Sequence, residues 1–155
     1  MIRWIALVLM VLAGPATACE TPASLTALRA ELLALTNVER TAVGLGTLTR
    51  HRSLEAAAQT QACRTADRQD LSHRGSWLAG LGRRLRREGY RYAMAAENLA
   101  EGQRSATEVT AGWMASAEHR HNSLEVRALN VGFGVAIARD GRLHWSMILA
   151  APRTE

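Results

Sequence analysis

Val131-Gly132-Phe133-Gly134-Val135-Ala136-Ile137, then Asp140-Gly141, then Leu143-His144-Trp145-Ser146-Met147-Ile148-Leu149 is the stretch that decides the fold. Each flank alternates with the period of two that marks a strand, and Asp-Gly between them is a hairpin turn signal. Pairing around a two-residue turn sets Ile137 opposite His144 and Val135 opposite Ser146. One face then carries Val131, Phe133, Val135, Ile137 and Ile148. The other carries Leu143, Trp145 and Met147 over Gly134, Ala136 and Ala138. Both faces are mostly apolar, unlike a sheet with one side in water. Four helical segments are available to cover them, so the expected fold is α+β: a three-layer α/β/α sandwich around a central antiparallel sheet.

The helical segments lie upstream. Thr21-Pro22 reads as N-cap and first helical residue, followed by a stripe of Leu25, Leu28, Leu32 and Leu35 and a stop at Gly44 after Ala42. Ser53 is expected to cap a second helix, with Glu55 in its first turn and a face of Leu54, Ala57, Ala58, Ala62 and Ala66. Side chains that small imply close packing on another element, with Cys63 beside that face. A loop-like Leu71 to Leu81 holds His73, and a short helix is expected over Gly82 to Glu88, ended by Gly89. Arg91 to Leu99 alternates as a strand. Ser105-Ala106-Thr107-Glu108 is a capping box that opens a helix with Ala106, Val109 and Trp113 on its buried side, ending near Ser116.

At 155 residues the chain is long enough for one core and short of two. Residues 1–18 read as a secretory signal: Arg3, an apolar run from Trp4 to Leu12, a Gly14-Pro15 breaker and the small-residue site Ala16-Thr17-Ala18. Residues 19–30 form an N-terminal segment tethered by Cys19, and residues 31–151 form the globular domain. The apolar run is too short to span a membrane and no second one follows. The expectation is an exported monomer, periplasmic or extracellular. An oxidising compartment favours a Cys19–Cys63 disulfide. The alternative is lipid attachment at Cys19, although Ala16 stands where such a signal normally carries leucine.

Net charge is +5 and every basic residue apart from histidine is arginine. Arg83, Arg84, Arg86 and Arg87 form a cluster able to meet nucleic acid or anionic lipid. Export removes the chain from nucleic acid, so no nucleic-acid partner is expected and a solvated helix face is the simpler reading.

Glu97-Asn98 follows the Arg91 to Leu99 run, and His119 stands some twenty residues later, just past a helix. Two imidazoles and a carboxylate suit zinc and leave one position open for water. His73, Glu97 and His119 supply that set if the fold assembles them, although their spacing matches no local zinc motif. Otherwise they are two loop histidines and an acid bonded to backbone amides. His121, two residues from His119, points away on a helix and reads as surface. His51 and His144 read as structural. Ser72 and Ser116 lack a Gly-x-Ser-x-Gly elbow, and Trp113 and Trp145 fall at core positions.

Leu35-Thr36-Asn37-Val38-Glu39-Arg40, Gly44 and Leu48, Leu54 and Ala58, Leu71-Ser72-His73, Arg84 with Gly89-Tyr90, Glu97-Asn98-Leu99-Ala100, Trp113 to Leu124, Val131-Gly132-Phe133-Gly134 and Trp145 follow one another in an order that resembles the CAP superfamily. This group comprises the cysteine-rich secretory, antigen 5 and pathogenesis-related proteins, and the chain is similar to its compact bacterial form from about Leu32 to Leu149. The resemblance implies the same α/β/α sandwich and a cleft of two histidines and two acids that binds a divalent metal in some members. His73 and His119 match the histidines and Glu97 the acid of the Glu-Asn motif, with Asn98 beside it in the cleft. The second acid has no match, since only Glu88 lies between His73 and Glu97. Three readings follow: a non-catalytic binding module for a lipid or sterol, an envelope component or a protein; a zinc-dependent hydrolase or peptidase using the same cleft; or a His/Glu cluster that only braces loops to the sheet. The first is expected, with no catalytic residue assigned.

Overall fold

The computed structural model describes residues 19–69, 71 and 77–154, so the signal-like residues 1–18 and His73 lie outside the described residues. The elements in chain order are α1 (Leu25–Ala42), β1 (Thr49–Arg50), α2 (Arg52–Arg68), α3 (Trp77–Arg87), β2 (Tyr92–Glu101), α4 (Ala106–Ala115), α5 (Ala117–Ser123), β3 (Asn130–Ile137) and β4 (Leu143–Pro152). The strands pair in the order β1-β3-β4-β2. β2, β3 and β4 are antiparallel as expected, whereas the two-residue β1 adds a parallel pair at the β3 edge.

The hairpin register differs from expectation by one residue. Ile137 meets Leu143, Ala136 meets His144, Val135 meets Trp145 and Gly134 meets Ser146. The turn is the cause. Residues 138–142 make a longer connection in which Ala138 N–H donates to the Arg142 carbonyl at 2.9 Å, Asp140 Oδ1 accepts from Arg142 N–H at 3.0 Å and Gly141 takes a φ of +82°. A one-residue slip exchanges the partners across a face. Val131, Phe133 and Val135 therefore share a face with Trp145, Met147 and Leu149, whereas Gly132, Gly134 and Ala136 share theirs with His144, Ser146 and Ile148.

The two faces take different cover. The bulky face packs against Leu32 of α1 and Ala106, Val109 and Trp113 of α4. The small face lets α2 come close enough that a Cβ on Gly132 would lie 2.2 Å from the Leu54 carbonyl carbon, and one on Gly134 2.3 Å from that of Ala58. Leu54, Ala57, Ala58, Ala62 and Ala66 are all buried there, as the small-residue face of α2 implied. Helices thus lie on both sides of the sheet, the expected three-layer arrangement.

Helix boundaries shift for identifiable reasons. α1 starts at Leu25 with Ser24 as N-cap, because Pro22 is used in a preceding turn that accepts Leu25 N–H at 3.0 Å. His51, not Ser53, caps α2: its Nδ1 accepts Ser53 N–H at 3.2 Å. α3 begins at Trp77, well before the expected Gly82. In the α4 box Ser105 Oγ accepts Glu108 N–H at 3.1 Å, while the Glu108 carboxylate reaches past Ser105 to Arg104 N–H at 2.8 Å. α5 is a fifth helix, begun at Ala117 after Ser116 leaves the helical conformation.

Side chains close both sheet edges. On β3, beyond β1, Arg29 Nε donates to the Phe133 carbonyl at 2.8 Å and Gln59 Nε2 to that of Val135 at 2.8 Å. Ile137 N–H donates to the Glu20 carbonyl at 2.9 Å, and Glu20 is held there by the Cys19–Cys63 disulfide, which forms as expected. On β2, Trp113 Nε1 donates to the Leu99 carbonyl at 3.3 Å and Asn122 Nδ2 to that of Glu97 at 3.4 Å.

Candidate functional site

Successive residues of β2 face opposite ways, so Glu97 and Asn98 serve different layers. Asn98 is fully buried and turns toward α5. Its Nδ2 donates to the His119 carbonyl at 2.8 Å and to Ser123 Oγ at 3.0 Å, and its Oδ1 accepts from Asn122 Nδ2 at 2.9 Å. One amide therefore fixes the short helix that carries His119. Asn98 acts from beneath the cleft and is closed to a ligand.

Glu97 is 8% exposed and forms an ion pair with Arg84 of α3. A carboxylate removed from water needs such a partner, and the pair ties α3 to the sheet edge. In the sequence Arg84 figures in the basic cluster and in the family resemblance, and no spacing rule connects it to Glu97.

His119 is partly buried and lines a cavity of about 260 Å³ with Leu71, Leu99, Glu101, Val109 and Trp113. Leu71, Leu99, Val109 and Trp113 supply apolar surface, and Glu101, Gln103 and His119 supply polar atoms. Glu101, absent from the expected site, thus joins His119 where sequence offered no second acid. Its Oε1 accepts from Arg142 Nη1 at 3.0 Å, and its Oε2 lies 3.8 Å from His144 Nε2. His144 is fully buried with neither ring nitrogen hydrogen-bonded. Burial pushes its pKa below the ordinary histidine value, against a weaker opposite pull from Glu101.

Leu71, the last described residue before His73, reaches this cavity. His73 itself, assigned with Glu97 and His119 as a zinc ligand, lies outside the described residues. Among the described residues no three histidine, cysteine or acidic side chains come together as a metal-binding group. His121 and Glu118 are exposed. Both cysteines of the chain are in the disulfide, which leaves no thiol nucleophile.

A second support for this region comes from α1. Arg40 is 1% exposed, and its guanidinium donates to the carbonyls of Gly46 at 2.9 Å, Ser123 at 3.0 Å, Glu125 at 3.0 Å and Ala128 at 3.4 Å. It binds the segment after α5 to the end of α1, while Asn37 holds both the N–H and the carbonyl of Leu48, at 2.8 and 3.1 Å.

The family model of the cysteine-rich secretory protein (CAP) family matches residues 33–149. The chain belongs to the CAP family. YkwD of Bacillus subtilis (strain 168) is 31% identical over 127 residues, covering 78% of this chain and 49% of its own length. The chain thus spans about half the length of that curated relative. An extracellular protein of Bacillus anthracis containing an SCP domain superposes with a TM-score of 0.71 at 24% identity, over 81% of this chain and 41% of the other. An outer surface protein of Borrelia burgdorferi gives a TM-score of 0.68 at 17% identity, over 84% of this chain and 93% of the other. These structures share the CAP fold of the four-stranded sheet with its helices, and residues 33–149 hold α2 to β3 entire, including Glu97, Asn98 and His119.

Proposed function

We propose that this CAP protein is an exported, non-catalytic binding module whose ligand is a small amphiphile seated in the cavity beside His119. One observation carries the reading: the lining of that cavity combines the apolar Leu71, Leu99, Val109 and Trp113 with the polar His119, Glu101 and Gln103. An apolar chain gains from the former and a polar end group finds donors and acceptors in the latter. A volume of about 260 Å³ is small for a whole sterol and suits one end of a lipid. The disulfide, the signal-like residues 1–18 and the absence of any described helix long and apolar enough to cross a membrane support export. Trp113 lines the cavity, so its fluorescence reports occupancy. Titration with a short-chain fatty acid or lysophospholipid should shift the emission saturably, and Leu99→Asp should remove the response. A flat titration with both probes, together with an empty organic extract of protein from its native host, would sink the reading.

A second reading places a divalent metal on His73, Glu97 and His119. Its support is the bond from Asn98, the neighbour of Glu97 in β2, to the His119 carbonyl, which fixes the helix carrying His119 against that strand. Arg84 works against it, since the guanidinium already occupies the Glu97 carboxylate and repels a cation there. The described donors therefore do not fit zinc while that pair stands. A bound zinc would supply a Lewis acid and an acidified water. Calorimetric titration of zinc into metal-free protein beside His119→Ala tests this: loss of near-stoichiometric binding in the variant supports it, and no saturable binding refutes it.

A further inference from the structure

At the end of the sheet where β3 begins and β4 finishes, away from the disulfide, the segment 124–129 joins α5 to β3. It carries two bare aliphatic side chains, Val126 at 70% and Leu129 at 56% exposure. The segment is nevertheless held fast. Arg40 takes the carbonyls of Glu125 and Ala128 and that of Ser123 just before them, Leu129 N–H donates to the Ala150 carbonyl at 3.1 Å, and Thr49 N–H donates to the Leu129 carbonyl at 3.0 Å. Single exposed aliphatics are ordinary on a protein surface; what distinguishes these two is that one fixed loop carries both and that basic side chains surround it.

Arginines surround this loop. Next to Leu129, Asn130 Oδ1 accepts from Tyr90 at 2.8 Å. Tyr90 follows the exposed Arg86 and Arg87 of α3 and precedes the exposed Arg91, whose carbonyl accepts Arg153 N–H at 2.9 Å. A hollow of about 540 Å³ beside Val126 adds Arg120 and His121. Two acids at this end are paired with arginines, Glu88 lying 3.8 Å from Arg87 and Glu125 bonded to Arg127 at 2.9 Å. The exposed Arg86 and Arg87 of the cluster singled out in the sequence are thus part of a larger basic end with an apolar tip, while Arg84 turns inward to Glu97.

We propose that this end docks on a membrane surface bearing anionic phospholipid, with Val126 and Leu129 entering the boundary between headgroups and acyl chains while the arginines meet phosphates. Guanidinium groups match phosphate oxygens in pairs, and an apolar tip ringed by cations is the pattern of interfacial binding. A protein partner fits less well, because stable protein interfaces centre on a buried core of aromatic and other anchors that Val126 and Leu129 do not supply. The proposal is independent of what the cavity beside His119 holds.

Vesicle co-sedimentation tests it, using the chain from Cys19 to Glu155, which contains every described element. Vesicles of phosphatidylcholine with phosphatidylglycerol should bind the protein in low salt, and pure phosphatidylcholine should not. Val126→Ser with Leu129→Ser should lower the partition coefficient by about tenfold or more, and Arg87→Gln with Arg153→Gln should lower it by about tenfold while flattening its salt dependence. Arg139→Gln removes an exposed arginine from the opposite end, beside the disulfide, and should change nothing. All these side chains are exposed, so unchanged melting temperatures confirm that the variants are folded. Equal binding to neutral vesicles, no binding, or indifference to both double variants would overturn the proposal. So would binding to soluble polyphosphate as tight as to vesicles and unaffected by the aliphatic pair, which would indicate simple adsorption of polyanions.

Discussion

The side-chain amide of Asn98 on β2 donates to the backbone carbonyl of His119 on α5 at 2.8 Å, so the position of the histidine is set by a residue that no ligand touches. Asn98→Ala removes one partner from each of the His119 carbonyl, Ser123 Oγ and Asn122 Nδ2; the first two keep their mutual bond at 2.9 Å and the third keeps the Glu97 carbonyl at 3.4 Å. The expected cost is about 1–3 kcal/mol, visible as an earlier midpoint in urea, and α5 should show faster amide exchange than α4. An unchanged midpoint would mean that α5 is held from elsewhere.

The ion pair of Arg84 and Glu97 separates two uses of the same carboxylate. Arg84→Met removes the guanidinium from the buried Glu97 carboxylate, and the loss should be about 3 kcal/mol. If Glu97 is a metal ligand, the same variant should bind zinc more tightly than the parent and regain stability with it. If Glu97 is only a brace, zinc should leave the melting temperature of the variant where it was.

Two glycine substitutions of the same kind should act in opposite directions. Gly134→Ala drives a methyl to 2.3 Å from the backbone of α2, where neither partner can yield. Overpacking of that severity costs about 3 kcal/mol or more, if the chain folds at all. Gly112→Ala, in the interior of α4 with nothing within 4 Å of the new methyl, should gain about 0.5–1 kcal/mol from helix propensity. Thermal melts of the two variants check both signs.

His144 predicts one part of the pH profile. Its folded pKa lies below the ordinary 6.5, so under about pH 6.5 the unfolded chain takes up a proton that the folded chain resists. Stability should therefore fall as pH drops through that region. His144→Gln should flatten this slope. The Glu125 carboxyl, held down to about 2 by Arg127, acts in a separate window: its contribution is complete above about 4.5 and is lost as pH approaches 2. Urea midpoints measured across both windows should show the variant altered in the first and normal in the second.

Layer order was legible because the hydrophobic pattern of residues 131–149 was too apolar on both faces to meet water, and because the alanines of α2 demanded a close neighbour. The disulfide was legible from cysteine number and a signal-like start. The hairpin register was not: Asp140-Gly141 signals a tight turn equally well inside a longer connection, and the choice depends on which face α2 must approach. The burial of Arg40 was invisible for a different reason. Arginine in a helix reads as surface, and only the carbonyls of Ser123, Glu125 and Ala128, far away in sequence, make its burial tolerable. Of the site, Glu97 and His119 were picked out by residue type and order and matched by the family resemblance, whereas the pairing of Arg84 with Glu97 and the approach of Glu101 to the cavity come by tertiary packing alone. His73 lies outside the described residues.

The closed sheet edges bear on the fate of the protein after synthesis. An open edge is a template on which another chain can grow a strand. Arg29 and Gln59 occupy that template along β3, Trp113 and Asn122 occupy it along β2, and Glu20 covers the last N–H of β3 only while Cys19 is tied to Cys63. The disulfide is thus a guard against self-association as well as a staple, and a reducing environment would open the β3 edge at Ile137 before the core gives way.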